Sequence, residues 1–327
     1  MILITGGAGF IGSNLAAALA EQGVNVAICD RLRAGSKWRN ISKLELRDLV
    51  APEQLEGWLA EHGDALDAIV HMGAISATTE TDADLIVEVN FRLSQMLWRW
   101  CAREAKRFIY ASSAATYGGA EAGFEDDFSP VALSHLRPLN AYGWSKLLFD
   151  RWAVREVALG NGQPAQWVGL KFFNVYGPNE YHKGGMQSVV AQKYAAAAAG
   201  EPVTLFRSHR EGINDGGQQR DFVYVADCVQ VMQWLLANPR VSGIFNLGTG
   251  KARSFAELAT ALYAAAGKEP RLTFVDTPLA IRPNYQYFTE ARMDRLRAAG
   301  YTRPFMSLED GVRDYVQRFL SQPDRYR

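Results

Sequence analysis

The chain has 327 residues, 48% of them hydrophobic and 21% charged, which gives ample length for a buried core and excludes a disordered polypeptide. Lys plus Arg number 35 and Asp plus Glu 35, so the net charge is zero and bulk attraction to nucleic acid is not expected.

Ile2-Leu3-Ile4-Thr5 predicts a first strand, and Leu15 to Leu19 sits in the helix that follows. Val24 to Cys29 is a second strand ending at Asp30, and a short third strand ends near Leu46. Further strands are expected at Ala68–His71, Phe108–Ala111 and Val168–Phe172. A helix over 83–101 carries Leu85, Val89, Leu93 and Leu97 at helical spacing. Strands separated by helices imply right-handed crossovers and a parallel sheet, an α/β fold of the doubly wound Rossmann type. After Phe173 glycines punctuate the chain at Gly177, Gly184-Gly185, Gly200, Gly212 and Gly216-Gly217. Phe222 to Ala237 then predicts a strand and a helix, Ile244–Leu247 one more strand, and helices follow near 255–266, 290–299 and 308–319. The expected division is a dinucleotide-binding domain of residues 1–173 and 219–250, with the latter returning to the main sheet. Residues 174–218 and 251–327 form a smaller C-terminal substrate-binding subdomain.

Cys29, Cys101 and Cys228 are scattered and fit a reduced cytoplasm better than a disulfide framework or a cysteine zinc site. No apolar run approaches the ~18 residues of a membrane helix, and no basic region precedes the first strand as in a secretory signal. The histidines lack metal-ligand spacing, so no metal is expected; His62, His135 and His209 read as surface residues and His71 as packed.

Gly6, Gly9 and Gly12 follow the first strand and open a helix. Glycine permits the tight turn and close approach to a pyrophosphate, and the helix N-terminus supplies N–H donors. Asp30 stands where a carboxylate accepts hydrogen bonds from an adenosine ribose. Arg31, Arg33 and Lys37 can hold a 2′-phosphate or form a solvated turn; on balance they favour NADP, with NAD tolerated. Asp48, just beyond the third strand, is expected to face the adenine. Met72, Gly73, Ala74, Ile75 and Ser76 follow a strand end and suit a backbone passing the middle of the cofactor, and Asn90 can bind backbone across the sheet.

Ser112-Ser113 ends the strand at 108–111, and Tyr142 and Lys146 share one face of a later helix. An ammonium beside a phenol favours the phenolate, Lys146 can also reach a nicotinamide ribose, and Ser113 can hydrogen-bond the substrate oxygen. His182-Lys183 lies in a glycine-bounded loop, which by itself reads as a solvated pair.

The glycine triad, the Ser pair, Tyr142-x-x-x-Lys146 and Phe173-Asn174-Val175-Tyr176-Gly177-Pro178 resemble the extended short-chain dehydrogenase/reductase family of nucleotide-sugar epimerases and dehydratases. The segments 111–119, 138–143, His182-Lys183-Gly184, 220–225 and 243–250 are similar to its ADP-heptose 6-epimerase branch. The resemblance implies a cytoplasmic isomerase that holds NADP, or sometimes NAD, and inverts carbon 6 of an ADP-heptose destined for the inner core of lipopolysaccharide. It implies Tyr142 and Lys183 as paired acid/bases assisted by Ser113 and Lys146. It adds Phe10, Ile11 and His182 to the cofactor contacts, and Asn174, Phe206, Arg207, Ser208, Arg220 and Tyr285 to the substrate contacts. It further implies a homo-oligomer, a pentamer. Departures from the family pattern are Met72 for a Glu, Lys171 for an Arg, Gly185 and Gln192 at substrate-contact positions that usually hold Ser and His, and a longer stretch from His209 to Gln219. Another nucleotide-sugar epimerase, acting for example at carbon 4, is the alternative, as is a non-catalytic NADP-binding module. A 4,6-dehydratase is disfavoured because Ala114-Ala115 stands where such enzymes carry an acidic pair.

Overall fold

Ile2-Leu3-Ile4-Thr5 is buried along its length and forms β1 (Ile2–Thr5), as a strand covered on both faces must. The computed structural model describes residues 1–119, 123–279, 282 and 285–327. The strands that follow are β2 (Val26–Cys29), β3 (Asp48–Val50), β4 (Ala68–His71), β5 (Arg107–Ser113), β6 (Gln166–Phe172), β7 (Asn174–Tyr176), β8 (Val203–Phe206), β9 (Gln219–Tyr224), β10 (Gly243–Leu247), β11 (Ala252–Ser254) and β12 (Leu272–Val275). The helices are α1 (Phe10–Ala20), α2 (Leu55–His62), α3 (Ala83–Ile86), α4 (Leu93–Arg103), α5 (Pro130–His135), α6 (Ala141–Leu159), α7 (Val189–Ala199), α8 (Val225–Ala237), α9 (Phe255–Ala265), α10 (Asp294–Ala298) and α11 (Leu308–Tyr315).

Seven strands form one parallel sheet in the order β10-β6-β5-β4-β1-β2-β3. The order reverses beside β1, which opens a crevice outside the carboxyl ends of β1 and β4, the usual ligand position in such sheets. Thr5 stands level with Cys29 and His71 at that edge. Leu3, Ile4, Ile28, Val70, Ile109 and Leu170 are fully buried in the sheet, each contributing about 1.5–3 kcal/mol by burial. α1 packs against α8, and α6 against the helical stretch between α3 and α4. Among the described residues no helix is long and apolar enough to cross a membrane.

Two expectations are corrected. The helix over 83–101 is interrupted by a π-helical turn at Val87–Arg92. The extra residue rotates the buried side to Ile86, Asn90, Ser94, Leu97 and Trp98, leaving Leu85 exposed. Secondly, β9 does not return to the central sheet. It pairs parallel with β7 and antiparallel with β11 in a separate three-stranded sheet, and only α8 and β10 rejoin the main body. An apolar run predicts a strand but not its partner. A second apolar cluster, including Tyr176, Val203, Leu205, Phe222, Leu262 and Val312, surrounds this smaller sheet, and Phe10 of α1 joins it.

Candidate active site

β1 enters α1 through the glycine turn. Gly6 has φ +64°, and a methyl group there would lie 2.6 Å from the Gly73 backbone; one at Gly12 would lie 2.3 Å from the Gly6 carbonyl oxygen. Side chains at these positions would therefore push the turn off both α1 and the segment after β4. Gly9 caps α1 without a side-chain acceptor, so the first amides remain available to an anion. Asp30 braces this turn. Its Oδ2 accepts the Ala8 amide at 2.9 Å, and its Oδ1 accepts the Arg31 amide at 2.7 Å and the Lys37 ammonium at 2.5 Å. The exposed Arg31 guanidinium pairs with Glu53. Asp48 opens β3 instead of following the third strand, level with Ala27, and its carboxylate accepts the Trp58 indole N–H at 2.6 Å. The strand starts later than its apolar pattern predicts because Leu44 and Leu46 pack from the preceding loop.

The segment Met72–Ile75 is half-buried at the crevice edge, and Ser76 is exposed. The Gly73 amide donates to Thr5 Oγ1 at 3.2 Å, which lies 2.6 Å from His71 Nδ1. Burial pushes His71 down to about 3, with the Lys146 charge adding to the effect, so the ring is neutral and structural. Asn90 accepts the Ile75 amide at 2.8 Å and donates to the Ile75 carbonyl at 3.0 Å and to Ser145 Oγ at 3.0 Å. The π turn thus ties the strand-end segment to the helix that carries Tyr142 and Lys146.

That helix, α6, starts where the Asn140 side chain accepts the Gly143 amide at 2.8 Å, a cap worth about 1 kcal/mol. Burial raises the Tyr142 phenol above its ordinary value, and the Ser113 hydroxyl beside it offsets only part of that rise. Ser113 ends β5 and accepts the Ala115 amide at 3.1 Å. Lys146 is 4% exposed, and burial lowers it from 10.5 to about 8 against the opposing charge of Asp150. Among the described residues its ammonium makes no hydrogen bond, which leaves its donors available to a ligand hydroxyl. Asp150, one turn on, accepts Tyr110, Ser112 and Lys171.

Lys183 approaches the crevice from the other side. It lies in a short helical turn, Tyr181–Met186, with its ammonium 5.3 Å from the centroid of the Phe10 ring. Burial lowers its pKa while Glu180 holds it up. His182 Nδ1 accepts from Asn40 Nδ2 at 3.2 Å; burial, Lys37 and Lys183 take the ring down to about 4. The same Asn40 amide also donates to the Ala8 and Asn179 carbonyls, and Asn14 of α1 donates to the Pro178 carbonyl at 2.9 Å. The loop is therefore docked on the glycine turn. Sequence reasoning missed Asn14, Asn40, Asn179 and Glu180, each of which has at least one partner far away along the chain and leaves no spacing motif.

On the side of the smaller sheets, Phe206, Arg220 and Tyr285 converge. The buried Arg220 guanidinium lies 5.4 Å from the Tyr285 ring centroid and 5.7 Å from that of Phe255, and the Phe206 and Tyr285 rings are 6.1 Å apart. No carboxylate pairs with Arg220 among the described residues. A desolvated cation between aromatic faces suits an anionic ligand. Arg207 turns instead toward Asp276 and Asp215, and Ser208 toward its own turn. Gln192 donates to the Gly185 carbonyl at 3.2 Å, while Asn174 is exposed at the start of β7. Among the described residues no three His, Cys, Asp or Glu side chains gather as a metal site.

Residues 2–248 match the model of the NAD dependent epimerase/dehydratase family. The chain is similar to the ADP-L-glycero-D-manno-heptose-6-epimerase of Fusobacterium nucleatum, 49% identical over 335 residues that cover all of both chains. Among solved structures it is similar to the ADP-L-glycero-D-manno-heptose-6-epimerase of Helicobacter pylori, at 31% identity and a TM-score of 0.79, covering 97% of this chain and 95% of that one. It is also similar to the UDP-glucose 4-epimerase of Thermus thermophilus in complex with NAD, at 28% identity and a TM-score of 0.74, with 96% and 97% covered.

Proposed function

The chain belongs to the NAD dependent epimerase/dehydratase family, and within it we propose an isomerase that interconverts ADP-D-glycero-D-manno-heptose and ADP-L-glycero-D-manno-heptose at carbon 6. The product supplies the inner core of lipopolysaccharide. The observation that carries this reading is Lys183 against Phe10 at the glycine turn, which adds a second titratable group to the Tyr142 side. Full-length identity of 49% to an enzyme named for the 6-epimerisation supports the sugar and the nucleotide.

The nicotinamide cofactor, when bound, supplies a reversible hydride acceptor for carbon 6. We assign its pyrophosphate to Gly6, Gly9, Phe10, Ile11 and Gly12, its ribose to Asp30, and its middle to Met72–Ser76. NADP is the form we propose, with Arg31 and Lys37 moving from Glu53 and Asp30 onto the 2′-phosphate. Lys146 then donates to the nicotinamide ribose. Tyr142 takes the 6-hydroxyl proton in one sugar orientation, with Ser113 steadying the oxygen, and Lys183 exchanges a proton with that oxygen in the other. Arg220, with Phe206 and Tyr285 beside it, holds the diphosphate end. The dinucleotide falls to the seven-stranded body and the sugar to the part built on 174–218 and 251–327 together with β9. A homo-oligomer, pentameric and cytoplasmic, completes the reading.

Purified protein incubated with either ADP-heptose epimer, and separately with UDP-hexoses, tests it by NMR of the epimer ratio. Equilibration of the ADP-heptoses alone is expected; equilibration of UDP-glucose and UDP-galactose instead would favour an enzyme acting at carbon 4.

A further inference from the structure

Three consecutive residues ahead of His182 and Lys183 are gripped by the C-terminal segment. The Arg327 amide donates to Asn179 Oδ1 at 3.0 Å. The Tyr315 hydroxyl on α11 donates to Glu180 Oε1 at 3.2 Å. The Tyr181 hydroxyl donates to the Arg325 carbonyl at 2.9 Å, and its ring lies 5.2 Å from that of Tyr326.

Glu180 is the centre of this grip. It is fully buried, although it sits on a loop. Its carboxylate accepts the Gly177 amide at 3.3 Å, the Ser188 hydroxyl at 2.7 Å and the Ser188 amide, besides Tyr315. One side chain thus joins both ends of the 177–188 segment to each other and to α11. Its backbone carbonyl accepts the Lys183 amide at 3.0 Å. A buried carboxylate is costly without partners, and four donors converge on this one.

Resting on the reading of Lys183 as an acid/base, we propose that Glu180 is the positioning residue for Lys183, fixing the loop so that the ammonium stands over Phe10. The groups around Lys183 are Glu180 and His182 on its own loop and Phe10 on α1. Lys37 faces His182, while Tyr315, Tyr181 and Arg325 stand around Glu180 and its neighbour. Burial raises the Glu180 carboxyl while the Ser188 and Gly177 donors and the Lys183 charge oppose the rise, and its carboxylate form favours the Lys183 ammonium.

The test is Glu180→Gln in the full-length enzyme, with Lys183→Met beside it. Gln keeps the shape, removes the charge and sets an amide donor against groups that already donate. Cofactor affinity and the KM for the sugar should hold while kcat falls about 10²-fold, the scale of a misplaced catalytic group. The acid limb of the pH–rate profile should move to lower pH, because Lys183 loses the charge that stabilises its ammonium; a purely structural defect would leave that limb in place. Should Glu180→Gln not fold, Tyr315→Phe removes one donor only, and a smaller fall in kcat is expected. Wild-type kcat and an unmoved acid limb in a folded Glu180→Gln, or wild-type kcat in Tyr315→Phe, would overturn the proposal even when Lys183→Met is inactive. Normal turnover by Lys183→Met would instead remove the acid/base reading itself, and the proposal with it.

Discussion

The Lys171 ammonium on β6 meets the Asp150 carboxylate on α6 at 2.8 Å, with both side chains out of reach of water. Asp150 lies one helical turn beyond Lys146, and Lys171 also donates to Thr116 Oγ1 at 2.7 Å. The pair therefore bolts the helix of Tyr142 and Lys146 to the strand beside Ser112 and Ser113. Breaking it from one side strands a buried charge. Asp150→Asn should lose about 3–5 kcal/mol of stability in denaturant unfolding, and pairing Asp150→Leu with Lys171→Met should recover part of that loss. A fully stable Asp150→Asn would show that the pair is not a structural bolt.

Tyr142→Phe should retain the fold and the cofactor but lose activity by about 10²–10⁴-fold, the contribution of one positioned acid/base. The Ser113 hydroxyl then faces an apolar ring edge. Turnover like that of the unaltered enzyme would remove Tyr142 from the mechanism.

Lys146 makes a prediction about pH. Its pKa in the folded protein, about 8, lies below the ordinary 10.5. Between those values the unfolded chain binds more protons than the folded one, so stability of the cofactor-free protein rises with pH across that window and the burial penalty is complete below it. Unfolding curves taken at both ends of the window should show the rise, and Lys146→Met should flatten it. Equal slopes in the two proteins would count against a buried, cationic Lys146.

What the sequence made legible was local. β1, its glycine turn and α1 follow from an apolar run, three glycines and a helical pattern in continuous sequence. Tyr142 and Lys146 could be placed on one face because a single helix carries both. The π turn at Val87–Arg92 was not legible, since its one extra residue leaves the apolar spacing looking regular while turning Leu85 outward and Asn90 inward. β9 read as a strand of the main sheet because pairing partners are set by tertiary contacts. The grip of Asn40 and Glu180 on the Lys183 loop joins residues from opposite parts of the chain. Only the family resemblance pointed to Lys183 itself, whose spacing alone describes a surface lysine.

Cofactor choice can be tested at Arg31 and Lys37. Both cations are held by carboxylates, Glu53 and Asp30. A 2′-phosphate offers them a doubly charged partner, so the protein should bind NADP more tightly than NAD, and Arg31→Ala with Lys37→Ala should reverse the order. Titration of the cofactor-free protein with each dinucleotide decides this. Equal affinities before and after the change would refute it.

The central claim is that two groups, Tyr142 and Lys183, share the proton transfers. On the proposed reading the sugar oxygen points in different directions in the two epimers, so that the phenol fixed on α6 serves one orientation and Lys183 the other, each within the roughly 2.6–3.2 Å that proton transfer needs. The most direct measurement is epimer interconversion by Lys183→Met, followed by NMR from each ADP-heptose. The variant should bind NADP and ADP-sugar yet leave either epimer unchanged. Supplied with reduced nicotinamide cofactor, it should still reduce a 6-aldehyde analogue to the primary alcohol with Tyr142 delivering the proton, as Tyr142→Phe should with Lys183. Full interconversion by Lys183→Met would contradict the claim and leave Tyr142 as the sole base.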